Sequence, residues 1–264
     1  MELDVLTSRL PQIKQALLSA IEQKKIELLY QGQTALPSQS LVGVEALCRM
    51  PEGPWAHITP DQFIPIAEHT GLIAPLERLV FAQLSQDLPA LLHCRPDIRV
   101  GVNLSIRHIT TPDFLSFMKQ WLDALPAHII PRLDFEITET YFQRISKTVI
   151  DGLHALRARG VRIVMDDFGS GQSSLSRLHT LPFDVIKLDK QFAQQIDHPM
   201  VYAIVKAAIA FAQEFDIELI AEGVETAEQA QALQTLGCRV VQGFFFSHPE
   251  PLAHWLTPPQ APTI

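Results

Sequence analysis

Residues 133–166 read LDFEITETYFQRISKTVIDGLHALRARGVRIVMD. The apolar, β-prone run 133–138 leads through an amphipathic helical segment at 146–159 to a second strand-like run at 161–166. Strand, helix and strand in this order form a βαβ unit, because parallel neighbours need a crossover that no tight turn supplies. The same alternation extends in both directions. Further strand-like runs lie at 26–31, 41–48, 98–104, 185–188, 217–221 and 239–242, with helix-period segments at 60–69, 76–93, 112–125, 200–215 and 227–236.

Eight strands in 264 residues predict an α/β fold, a closed (β/α)8 barrel of the TIM type. One connection departs from the rule. Between the first two strands there is only the polar segment 32–40, containing Pro37, too short for a crossover helix. The first strand is therefore expected to run antiparallel to the rest. The helix-period segment 10–22 would cover the barrel beside it. The expected organisation is an N-terminal helical segment at 1–25 packing on the barrel, the barrel at 26–256 and a C-terminal tail at 257–264, with no internal boundary.

A hydrophobic content of 47% suits one large core. The net charge of −8, with no Lys/Arg run, argues against a protein that grips long nucleic acid by neutralising phosphates. Cys48, Cys94 and Cys238 are odd in number and widely spaced, which suggests neither a disulfide framework nor a zinc cluster and fits a cytoplasmic location. The N-terminus lacks the apolar core of a signal peptide, and the apolar stretch 201–215 is interrupted by Lys206, Gln213 and Glu214, so no membrane association is expected.

In such barrels chemistry is carried at the C-terminal ends of the strands. Here those ends hold Glu45, Asn103, Glu136 with Glu139 beyond it, Asp166 and Asp167, Lys187, Glu222 with Glu225 beyond it, and Gln242. Taken singly, each has a bland reading. Glu45 is an ordinary strand-end carboxylate, Asn103 caps a turn, and 166–171 is a polar turn. Taken together, carboxylates converging on one mouth repel one another unless cations neutralise them. Hard oxygen donors favour Mg2+ or Mn2+ over zinc, and paired ions are the known device for in-line phosphoester displacement. The ten histidines show no metal-binding helix pair and receive no role. Phe244 to Phe246 read as core or rim packing, although Phe244 follows a strand end and could touch a base.

The order of these motifs resembles the EAL family of cyclic di-GMP phosphodiesterases from about residue 26 to residue 251. The motifs are Glu45-Ala46-Leu47 followed by Arg49, Asn103-Leu104-Ser105, Glu136-Ile137-Thr138-Glu139, the run 166–171, Lys187-Leu188-Asp189, Glu222-Gly223-Val224-Glu225 and Gln242-Gly243. The resemblance implies a bacterial signalling enzyme, a homodimer like its relatives, that hydrolyses cyclic di-GMP to linear pGpG with two Mg2+ or Mn2+ ions. It implies Glu45, Asn103, Glu136, Asp166, Asp167 and Glu222 as metal ligands. Lys187, Glu222 and Glu45 would be catalytic, with Lys187 orienting the attacking water. Glu139 would pin the loop after the fifth strand. Gln31, Leu47, Arg49, Gly223, Gln242 and Gly243 would line the substrate groove. Departures from the family's usual pattern are Gly32 for Pro, Gln172 for Tyr, and Cys48 and Met50 for Leu and Trp.

Two other readings compete. A catalytically silent cyclic di-GMP receptor would hold the dinucleotide uncut, but such relatives typically lack some of the ligand positions filled here. A Schiff-base aldolase built on Lys187 leaves the carboxylates unexplained.

Overall fold

The computed structural model describes residues 2–51, 55–139, 146–170 and 182–257, with side chains described from residue 10 onward. After helix α1 (Glu2–Gln23), strands β1 (Glu27–Ala35) and β2 (Leu41–Arg49) form an antiparallel hairpin in which Gln31 faces Glu45 and Gln33 faces Gly43. Helices α2 (Pro60–Thr70) and α3 (Ile73–Cys94) carry the chain to β3 (Arg99–Asn103). There follow α4 (Ile106–Ile109), α5 (Phe114–Ala124), β4 (Leu133–Thr138), α6 (Lys147–Ala158), β5 (Arg162–Phe168) and β6 (Val185–Leu188). The barrel is completed through α7 (Lys190–Gln194), α8 (Pro199–Glu214), β7 (Glu218–Ala221), α9 (Ala227–Thr235) and β8 (Val240–Gln242).

Strands β2 to β8 pair parallel in chain order, and β1 closes the cylinder by pairing antiparallel with both β2 and β8. The short 32–40 connection has the consequence expected of it. A two-residue strand β9 (Glu250–Pro251) adds to β1 at Leu29 and Tyr30 and leads into α10 (Leu252–Trp255). Neither was expected, and neither were α4 and α7; all four are too short to show a period in sequence.

Local chemistry explains the helix starts. Thr226 and Gln229 form a reciprocal capping box on α9, the Gln229 N–H donating to Thr226 Oγ1 at 3.3 Å and the Thr226 N–H to Gln229 Oε1 at 3.1 Å. Pro199 opens α8 where its missing N–H costs nothing. Outside the sheet, Phe81 packs edge-on against Phe117, Trp121 and Phe135, tying α3 and α5 to β4. Helix α1 buries Ile13, Ala16, Leu17 and Ala20 with Phe63, Ile66, Ile73 and Leu76, so it leans on α2 and α3, with Ile26, Cys48 and Met50 in the same cluster. Among the described residues no helix is long and apolar enough to cross a membrane.

Inside the cylinder Val164, Val185, Ile220 and Val240 form a separate apolar plug. Burying each such side chain stabilises the barrel by about 1.5–3 kcal/mol. This plug is the floor on which the polar residues stand.

Candidate active site

Side chains two apart on a strand share a face. Two residues beyond the plug on β5, β6 and β8, and at the end of β7, the same inward face carries Asp166, Lys187, Gln242 and Glu222. On β2 the step runs from Gly43 to Glu45. On β3 it runs from Gly101 to Asn103, and a Cβ at Gly101 would stand 2.1 Å from Glu136 Oε1, so the glycine makes room for the Glu136 carboxylate. Strand periodicity alone thus stacks a polar layer on an apolar one.

Lys187 is the hub of that layer. It is fully buried, and its Nζ lies 3.0 Å from Glu45 Oε2, 2.8 Å from Glu136 Oε2, 3.4 Å from Asp166 Oδ1 and 2.7 Å from Glu222 Oε1. Glu45 also accepts from Asn103 Nδ2 at 2.7 Å and from Gln242 Nε2 at 2.7 Å. Carboxylate oxygens of Asp166, Asp167 and Glu222 lie within 4.8 Å of one another. All six residues expected as metal ligands therefore meet at one rim.

Adjacent Asp166 and Asp167 would face opposite ways on a regular strand. Two irregularities prevent this. The β5–β6 register shifts between Met165 and Phe168, and Asp167 has a left-handed backbone with φ of 56°. Such a bulge re-aims a side chain, and Asp tolerates the left-handed region better than most residues.

The layer's protonation follows from burial and crowding. Burial pushes Glu136 well above the usual range, with the Glu45 charge adding to it. Burial raises Asp166 as well, against the pull of Lys187. Burial, reinforced by Asp166 and Asp189, pushes Asp167 up to about 6. Glu222 is pushed up to about 8, again chiefly by burial, with Lys187 opposing and Asp166 and Glu45 adding. Burial also acts upward on Glu45, but the Lys187 charge and the hydrogen bonds from Gln242, Lys187 and Asn103 outweigh it and hold this carboxyl below the usual range. Burial alone would lower Lys187, yet Asp166, Glu136, Glu222 and Glu45 hold it well above, so it is an ammonium.

The donor set fits divalent cations. Five carboxylates and one ammonium leave an excess of four negative charges when all are ionised, which two divalent ions would balance. Asp166 Oδ1 is buried and makes an ion-pair contact with Lys187 but accepts no hydrogen bond, the condition of an oxygen with capacity left for a cation. Asn103 turns its amide nitrogen to Glu45, which leaves Oδ1 as its metal-ligating atom. Oxygen donors of this kind suit Mg2+ or Mn2+.

A groove of about 270 Å3 opens above the layer, bounded by Gln31, Glu45, Glu222, Gln242 and, on its far side, Lys190, Gln194 and Phe244. Lys190 and Gln194 lie on the short helix α7, which sequence periodicity does not reveal. Phe244 is exposed and stacks on His248 at 4.5 Å. Gly223 and Gly243 also border the groove, but both have a packing reason to be glycine. A Cβ at Gly223 would stand 2.3 Å from Lys190 Cβ, and one at Gly243 would stand 2.1 Å from the Val224 carbonyl oxygen. Leu47 and Arg49 continue the Glu45 face of β2 and do not line this groove; the Arg49 guanidinium donates to the Cys48 carbonyl at 2.9 Å.

Glu139 accepts a hydrogen bond from the Gly169 N–H at 2.8 Å, joining the end of β4 to the turn after β5. Gln172 lies outside the described residues, and so does His179. Of the other histidines, His108 is fully buried beside Glu77 at 2.6 Å, a pairing in the core rather than at the barrel mouth. Gly32 has a local cause. Its N–H donates to Ser247 Oγ at 2.9 Å, and a Cβ there would stand 2.9 Å from the Trp255 ring.

Comparison with known proteins agrees with this geometry. The model of the EAL domain matches residues 14–249. An uncharacterized protein of Synechocystis sp., sll1895, is 38% identical over 250 residues, covering 90% of this chain and 34% of its own. The probable cyclic di-GMP phosphodiesterase PdeD of Escherichia coli is 37% identical over 251 residues, covering 92% of this chain and 45% of its own. A solved structure of the PaMucR phosphodiesterase in complex with c-di-GMP is 33% identical with a TM-score of 0.84, covering 92% of this chain and 99% of that one. The chain spans about a third of the length of several curated relatives that it matches. Family model, relatives and barrel together show that this chain belongs to the EAL domain family.

Proposed function

We infer that this chain is a metal-dependent phosphodiesterase that hydrolyses cyclic di-GMP to linear pGpG. The observation that carries the reading is the polar layer around Lys187, in which every expected ligand position is filled and meets the others at one rim. The names of PdeD and of the PaMucR complex support the substrate.

Glu45, Asn103, Glu136 and Asp166 would hold one cation, and Asp166, Asp167 and Glu222 a second. The chemistry that such a pair supplies when bound is stabilisation of phosphoryl charge and a nucleophilic water at neutral pH. Lys187, held as an ammonium, spends its N–H donors on Glu45, Glu136 and Glu222 here; with cations taking up those carboxylates, it would turn them to the attacking water and the phosphoryl oxygens. Glu222, at the groove beside Lys187, would accept the proton that the attacking water gives up. The groove beside Gln31, Gln242 and Phe244 takes the rest of the dinucleotide, and Leu47 and Arg49, which stand outside its lining on the same face of β2, would meet only a ligand that extends beyond it. Opening one of the two phosphodiester bonds gives the linear product.

Residues 26–256 act as the catalytic barrel in this reading, 1–25 as the helical segment on its flank and 257–264 as a tail, of which only Thr257 lies among the described residues. A cytoplasmic homodimer fits as well. Met200, Ile204 and Phe215 share one face of α8 or its end and are 64%, 45% and 62% exposed, an apolar stripe of the kind that a second copy covers.

Incubation with cyclic di-GMP and Mg2+ or Mn2+, followed by chromatography of the products, tests the reading. Linear pGpG is expected from the wild type and none from Glu45→Ala. Tight binding without turnover under both metals would select the silent receptor instead.

A further inference from the structure

Gln33 has no place in the expected site, yet it is 4% exposed inside the barrel, one step below the rim. Its Nε2 donates to Gln242 Oε1 at 3.1 Å. Gln242 in turn donates through Nε2 to Glu45 Oε2 at 2.7 Å and to Gln31 Oε1 at 3.2 Å. The ladder explains why these groups meet, since Gln33 faces Gly43 on β2 and Gln242 on β8, where β1 closes the cylinder.

We propose that Gln33 is a positioning residue for the metal-binding carboxylate Glu45, acting through the amide of Gln242. An amide has a donor end and an acceptor end, and a partner at one end fixes which way the other points. By occupying Gln242 Oε1, the Gln33 amide turns the Gln242 NH2 toward Glu45. Glu45 is then held by three N–H donors, from Lys187, Gln242 and Asn103, which fix the plane of its carboxylate. Groups behind a ligand set its orientation and so its affinity for the ion. Gly43 belongs to the same device. A Cβ there would stand 2.4 Å from Gln33 Oε1, so this position has to be glycine for the Gln33 amide to lie across it.

The inference rests on reading Glu45 as a metal ligand. Its test is a double-mutant cycle read out as Mn2+ affinity by titration calorimetry, alongside cyclic di-GMP turnover. Gln33→Ala is expected to weaken Mn2+ binding by about tenfold. Gly43→Ala is expected to do the same by displacing the Gln33 amide. The double variant should lose no more than either single one, because without the Gln33 amide the added methyl has nothing to push aside. Additive losses, or unchanged Mn2+ affinity in a folded Gln33→Ala, would overturn the proposal. Gln33→Met keeps the side chain's length without its amide and serves if the shorter variant does not fold. A wild type that binds Mn2+ through this cycle but cleaves no cyclic di-GMP would overturn the phosphodiesterase reading and leave the relay standing. Equal cleavage and equal Mn2+ affinity in the wild type and in Gln33→Ala would do the reverse.

Discussion

Lys187 Nζ and Glu222 Oε1 stand 2.7 Å apart on neighbouring strands, the ammonium fully buried and the carboxyl partly open to the groove. The pair sets a permanent donor beside a group that exchanges protons near neutrality, since burial pushes Glu222 up to about 8 while the surrounding carboxylates keep Lys187 charged. One site thus holds a fixed charge and a movable proton.

Replacing Lys187 by Met removes the donor and keeps the bulk. Turnover of cyclic di-GMP should fall by about 100-fold or more, the usual consequence of losing a charged donor at a reacting phosphoryl group. The buried carboxylates also lose the one buried cation that contacts them among the described residues, a change that costs about 3–5 kcal/mol when one member of such a network is removed. Thermal melts in a chelator should therefore drop, and Mn2+ should restore more stability to the variant than to the wild type. A variant that turns over at the wild-type rate would remove Lys187 from the chemistry.

Gly32 is a departure from the family's proline, and the reverse substitution measures what it contributes. Gly32→Pro deletes the N–H that donates to Ser247 Oγ, worth about 1 kcal/mol, and crowds Trp255, Leu41 and Ser247, at about 1–3 kcal/mol for an overpacked site. Denaturant unfolding should show a loss of about 2–4 kcal/mol. An unchanged midpoint would mean that the β1 edge and α10 adjust without strain.

Glu139 is tied to the site through the Gly169 backbone that it holds. Glu139→Ala frees the Gly169 N–H in the turn that follows Asp166 and Asp167. Mn2+ affinity should fall by about 10–100-fold, the range for a group one step behind the ligands. Glu139→Gln retains an acceptor oxygen and should lose less. Equal losses in the two variants would point to the charge of Glu139 rather than to its hydrogen bond.

The barrel was legible because its physics is periodic. Apolar β-runs alternate with helical segments, and the nine-residue segment 32–40 between the first two strand-like runs is too short to cross over. The ligand set was legible because strand ends are where such folds place chemistry and because its motifs match a known family. Gln33 was not, since the sequence reading ends the first strand at 31 and puts position 33 in the polar connection, whereas β1 runs on to Ala35 and carries Gln33 to an amide 209 positions away on β8. Lys190 and Gln194 escaped because α7 spans little more than one turn. The glycines at 223 and 243, read as lining the substrate groove, do border it, and chain contacts with Lys190 and Val224 are a second reason for glycine there.

Metal affinity should depend on pH in a direction set by the rim. Without a divalent cation, Asp167 takes up a proton below about 6 and Glu222 below about 8, and each proton must leave before its oxygen can ligate. Apparent Mn2+ affinity should rise between these values by about tenfold per pH unit for each proton that the ion displaces. The stability of the chelated protein should move the opposite way. A carboxyl whose folded pKa is raised binds more protons folded than unfolded, so its contribution is present at low pH and is lost as pH rises through the folded value. Melting in EDTA should consequently shift to lower temperature from pH 5 to 8, while the increment that Mn2+ adds grows over the same interval. Calorimetry and melts at four pH values would check both slopes, and an increment that shrinks with rising pH would place the ion somewhere other than these carboxylates.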